Sequence, residues 1–144
     1  FAKISNFLEV GKRALFAGIK QAKPGNRVGH ISHAVQEVVE GAGYSVVRNL
    51  VGHGVGEKLH EEPEIPGYLN RKIEETPQFS QGMTIAIEAI YNMGGPDIVY
   101  DRNDDWTITT RDGSLSGLFE RTILITPKGH ELLTRLSSDR SFNA

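Results

Sequence analysis

Apolar side chains change their period once along this chain, and the change separates a helical opening from a strand-rich remainder. Ile4, Leu8, Gly11 and Leu15 recur at helical spacing, which predicts a first helix ending near Lys20. Lys23-Pro24-Gly25 is a turn signal, because a proline ring cannot continue a helix. Val28, Ile31, Val35 and Val38 restore the helical period behind Asn26 as a cap, and Gly41 with Gly43 supplies the stop. Residues 44–47 read as a short strand, and Pro63, Pro66 and Gly67 mark an extended loop.

From Met83 onward the helical period is gone. Residues 84–90, 106–110 and 118–125 read as strands, divided by turn segments at Asn92-Met93-Gly94-Gly95-Pro96 and Arg111-Asp112-Gly113. Strands joined by turns of this kind pair antiparallel, so the pattern predicts an α+β fold with helices packed on an antiparallel sheet. The polar stretch after Leu136 predicts a flexible tail over 137–144. No repeat, linker or low-complexity tract divides residues 1–144, which read as a single unit.

Composition bounds the partners more than the fold. The 144 residues are 38% hydrophobic and 24% charged, the balance of an ordinary globular domain, and the formal net charge of -2 is spread over interspersed acids and bases. Neither a nucleic acid nor an anionic membrane surface is expected as a partner. No apolar run approaches the roughly 18 residues of a membrane span, and no signal-peptide pattern opens the chain. Cysteine is absent, which leaves His, Asp and Glu as candidate metal ligands and points to hard or borderline divalent cations. The chain opens on Phe1, directly in a helical pattern and with no capping Ser, Thr, Asp or Asn before it, so a start cut within a longer protein is expected.

Candidate chemistry gathers at four residues. Gly52-His53-Gly54-Val55-Gly56 leads into Leu59-His60-Glu61-Glu62-Pro63, two imidazoles seven residues apart on what reads as a glycine-flanked turn. Glu88 and Glu120 each interrupt a run that reads as a buried strand, where a carboxylate is costly unless something positive meets it. Side chains alternate along a strand, so Glu88 shares its face with Thr84 and Ala86, and Glu120 shares its face with Leu118 and Thr122. Arg121 falls on the opposite face from Glu120. Either glutamate alone fits the solvated face of an edge strand; together with His53 they suggest a divalent cation, which keeps two nearby carboxylates ionised. For His60 two readings stand, a substrate-facing group or a surface histidine ahead of Glu61 and Glu62. His30, His33 and His130 read as structural, and Asp101, Asp104 and Asp105 as a solvated turn. Neither a His-Glu-x-x-His helix nor a phosphate-cradling glycine loop is present.

With these residues in place, the chain resembles the type I methionine aminopeptidases of the pita-bread fold from about Phe1 to Leu136. The segment from Gly52 to Gly56 with His60-Glu61-Glu62-Pro63 is similar to that family's histidine loop, and Met83-Thr84-Ile85-Ala86-Ile87-Glu88 to its first glutamate strand. Trp106-Thr107 with Asp112, Ser114, Leu115 and Ser116, leading to Phe119-Glu120-Arg121-Thr122, is similar to its final hairpin. The resemblance implies a cytoplasmic enzyme that removes the initiator methionine from nascent polypeptide N-termini. It further implies two adjacent divalent cations of the cobalt, manganese, iron, zinc or nickel class. By that resemblance His53, Glu88 and Glu120 are metal ligands, with Glu120 bridging both ions. His60 contacts the substrate and stabilises charge in the transition state, and Glu88 also helps move a proton to the leaving amine. The family site draws two aspartates and a further histidine from an N-terminal half, so this chain corresponds to the C-terminal half of the fold, and little activity is expected of it alone. Arg121 stands where the family usually has histidine, and Leu118 where a glutamine is common. Two rivals remain: a pita-bread aminopeptidase acting on Xaa-Pro bonds, and a catalytically dead module used for binding, for instance at the ribosome.

Overall fold

A computed structural model describes residues 1–142 of the chain. It opens with helix α1 (Ala2–Gln21), whose buried stripe runs through Phe7, Gly11, Ala14, Leu15 and Gly18. The glycines in that stripe let the sheet come close: a side chain at position 11 would strike the Tyr91 hydroxyl and the Phe119 ring. Tyr91 uses this proximity to donate a hydrogen bond to the Phe7 carbonyl at 2.5 Å. Ile4 and Leu8, expected on the buried face, are 48% and 45% exposed. Gly11 and Leu15 of the expected face are buried, whereas the first turns bury Phe7 and Val10 in place of Ile4 and Leu8.

Helix α2 (Val28–Gly41) buries Val28, Ile31, Val35 and Val39. Asn26 does not cap it; its side chain donates to the Gln21 carbonyl at 2.9 Å and so closes the end of α1. The start of α2 is held by other groups. The Arg27 N–H donates to His30 Nδ1 at 3.0 Å, and the Gly29 N–H donates to Thr76 Oγ1 at 2.9 Å. Gly43 then turns the chain at φ 81°, a conformation that favours glycine.

Strands β1 (Ser45–Val46), β2 (Gly52–Gly54), β3 (Glu61–Ile65), β4 (Thr84–Asn92), β7 (Ser116–Thr126) and β8 (Gly129–Leu132) form one antiparallel sheet in the order β3-β2-β4-β7-β8, with β1 also on β4. Strands β5 (Ile98–Tyr100) and β6 (Ile108–Thr110) make a separate hairpin. The sequence pattern located β1, β4, β6 and β7, gave no strand at β5 or β8, and read β2 as a turn and β3 as loop. Gly52-His53-Gly54 carries no β-branched residue, and it is a strand because β3 and β4 pair with it on either side. Pro63 fits β3 because that strand lies at the sheet edge.

The helices cover one face of this sheet, where Ile85, Ile87, Ala89 and Tyr91 of β4 and Ile123 and Ile125 of β7 are buried in the core. The opposite face presents Glu88 and Glu120, and there Leu118 is 55% exposed. Residues Ser137–Phe142, within the stretch read as a tail, form a 3-10 turn, with Asp139 buried against Arg121. Residues 143 and 144, also assigned to that tail, lie outside the described residues. No helix among the described residues is long and apolar enough to cross a membrane.

Candidate metal centre

Strand pairing sets Glu88 of β4 directly opposite Glu120 of β7. The Thr122 N–H points outward to Thr134 and the Ile125 N–H points to Met83, so even-numbered residues of β7 turn their backbone groups away from β4. Glu88 and Glu120 are therefore a non-hydrogen-bonded pair, the arrangement in which facing side chains come closest. Like charges so placed repel.

His53 arrives from the other flank of β4. It pairs with Ala86, one step along the same face from Glu88, and its Nε2 lies 3.3 Å from Glu88 Oε1. Its Nδ1 is 2.8 Å from the Gly54 carbonyl, which accepts the Nδ1–H and fixes the orientation of the ring. The glycines beside it do something other than turn the chain. Neither Gly52 nor Gly54 has positive φ; both are extended, and a Cβ at Gly52 would run into the Ala86 carbonyl oxygen, one at Gly54 into that of Glu62. Glycine is needed there because three strands crowd together.

The surroundings of the two carboxylates differ. His53 is buried and Glu88 nearly so, whereas Glu120 is exposed, contrary to the expectation of two buried glutamates. Burial holds the Glu88 carboxyl above its ordinary range, the facing Glu120 pushes it further the same way, and His53 opposes both. His60, at the exposed end of the segment between β2 and β3, sets its ring edge-on to His53 with centroids 4.3 Å apart. The four residues singled out in the sequence thus converge on one patch of the uncovered sheet face.

The remaining candidates do not join it. His30 caps the start of α2, His33 lies 3.7 Å from Glu37 on the surface of that helix, and His130 Nδ1 is 3.0 Å from the Ala22 carbonyl. Asp104 receives the N–H groups of Trp106 and Thr107, and Asp101 that of Asn103, as a solvated turn requires. One contact escaped the sequence reading. Arg121 reaches Asp139 with two hydrogen bonds of 2.8 and 2.7 Å and also donates to the Glu120 carbonyl at 2.6 Å. No local signal announces it, since Asp139 sits in a polar stretch with no period.

His53, Glu88 and Glu120 each offer a ligand atom, and these atoms all lie within 4.8 Å of one another. An imidazole oriented by a carbonyl at its Nδ1, beside two carboxylates that repel, is a donor set that a divalent cation would both satisfy and stabilise. Residues 2–127 match metallopeptidase family M24, and the chain belongs to that family. It is 46% identical over 129 residues to methionine aminopeptidase 1 of Bacillus subtilis, covering 90% of this chain and 51% of that protein. The crystal structure of methionine aminopeptidase from Rickettsia prowazekii superposes with a TM-score of 0.89 at 36% identity, over 94% of this chain and 54% of that one. The prolidase from Pyrococcus horikoshii shares the fold at a TM-score of 0.69 and 24% identity. The α+β architecture is thus the pita-bread fold, and the chain spans about half the length of the methionine aminopeptidases it matches.

Proposed function

We propose that this chain supplies one wall of a methionine aminopeptidase, the wall that holds metal through His53, Glu88 and Glu120. The observation that carries the reading is the in-register pair Glu88–Glu120 with His53 Nε2 3.3 Å from Glu88. A divalent cation held there would act as a Lewis acid toward the scissile carbonyl and make water acidic enough to attack at neutral pH. His60, beside His53, donates a hydrogen bond to the carbonyl oxygen of the methionyl peptide as negative charge develops. Glu88 takes up the proton that the attacking water gives up and passes it to the departing amine nitrogen. Two carboxylates balance only half the charge of two divalent cations, so a two-metal site draws its remaining ligands from a further segment of the same fold, two aspartates and a histidine in the resemblance. Nascent N-termini in the cytoplasm, as they leave the ribosome, are the substrate this reading implies.

The higher identity to methionine aminopeptidases than to prolidase favours Met-Xaa over Xaa-Pro bonds. Mixing the chain with the complementary half of a relative and loading it with manganese tests this. Release of methionine from Met-Ala peptides, lost in His53→Ala and Glu120→Gln, is expected. Cleavage of Ala-Pro with Met-Ala untouched would move the assignment to the prolidase side, and absence of both manganese uptake and cleavage would leave a binding module.

A further inference from the structure

Strand β8 ends at Leu132, and the outer edge of β7 loses its neighbour where β7 approaches Glu120. Side chains and loop take over the work of a strand along that edge. The Leu133 N–H donates to the Thr122 carbonyl at 2.9 Å, and the Thr122 N–H donates to Thr134 Oγ1 at 2.8 Å. Two residues along the same edge, the Glu120 carbonyl faces outward and receives Arg121 Nη1 at 2.6 Å. The other two corners of the guanidinium fork, Nε and Nη2, donate to the two oxygens of Asp139 at 2.8 and 2.7 Å. Asp139 is 3% exposed and also accepts the Leu136 N–H at 2.8 Å, so it is anchored by its own turn. Phe16, Phe119 and Leu136 help wall a cavity of ≈ 80 Å³ around this pair on the helix side of the sheet.

We infer that Arg121 is a positioning residue for Glu120, holding the backbone of that candidate ligand in place from the reverse face of the sheet, with Asp139 as its anchor. The planar fork makes three directed bonds at once, and a flexible ammonium cannot reproduce them. Without Arg121 the Glu120 carbonyl has no strand to bond, and the carboxylate is free to drift from its place opposite Glu88.

The consequence for metal rests on the proposed metallopeptidase reading, so two measurements on the full chain are needed. Manganese affinity by calorimetry is expected to fall about tenfold in Arg121→Gln, Arg121→Lys and Asp139→Asn, the scale typical of partners that orient a ligand. In the metal-free chain the Hα–Hα NOE between Glu88 and Glu120 is expected to weaken in the same variants. Wild-type affinity and an undiminished NOE in variants with a lowered Tm would reduce the clamp to a stability element and overturn the inference. If the wild type takes up no manganese, the proposal that this wall holds metal without its further ligands fails, and the NOE alone decides the clamp. Should Arg121→Gln not fold, the near-isosteric Asp139→Asn carries both measurements.

Discussion

Gly52 and Gly54 hold His53 in place by what they lack. With no Cβ, the strand between them can lie against the carbonyl oxygens of Ala86 and Glu62, and that closeness brings the imidazole to Glu88. Backbone oxygens in paired strands cannot step aside as a side-chain tip can. Gly54→Ala is therefore expected to cost about 1–3 kcal/mol, the range for an overpacked interior site. Urea unfolding checks this, and an unchanged midpoint would mean that β2 is less crowded than described. The sequence marked these glycines as important and misread the reason, because a glycine at positive φ and a glycine under a neighbouring carbonyl look alike in one dimension. His53, His60, Glu88 and Glu120 were each legible as residues, since histidines beside glycines and carboxylates in apolar runs are chemically conspicuous.

Strands β4 and β7 carry the site as elements, and their pairing has an energetic sign that can be measured. Burial and the facing Glu120 raise the Glu88 pKa in the folded chain above its ordinary 4.5. The folded state then binds more protons than the unfolded state over the interval between the two values, so metal-free stability falls as pH rises through it. Melting temperatures of the chelator-treated chain between about pH 4 and 7 are expected to show this decline, and Glu88→Gln to flatten it. An unaltered slope in that variant would place the repulsion elsewhere. The sequence located β4 and β7 from their alternation, but their register is set by pairing across more than twenty intervening residues and has no local signature. Strand β2 was invisible for the opposite reason: its neighbours, not its composition, make it a strand. Helix α1 was found and its face read half correctly: Gly11 and Leu15 are buried as expected, while Ile4 and Leu8 kept the period without reaching the core.

On the scale of the whole molecule, two helices close one side of a sheet and leave the other side, with its carboxylates and imidazoles, uncovered by any element among the described residues. Charge is balanced overall, with a formal net charge of -2, yet it is concentrated unfavourably at this one place. The methionine aminopeptidases it matches carry about twice this length, and the open side is where the proposed reading needs further ligands. The pairing of positions 88 and 120 also has a use unconnected with peptides or metals. Facing residues of a non-hydrogen-bonded antiparallel pair have Cα atoms about 4.5 Å apart, within the roughly 4.4–6.8 Å that a disulfide spans. The chain contains no cysteine of its own. A Glu88→Cys, Glu120→Cys variant should therefore oxidise in air to a single cross-link with no competing thiol, read by the loss of both free sulfhydryls. Thiols that persist would mean the strands are paired differently. The register of the sheet would become something a colorimetric thiol assay can report.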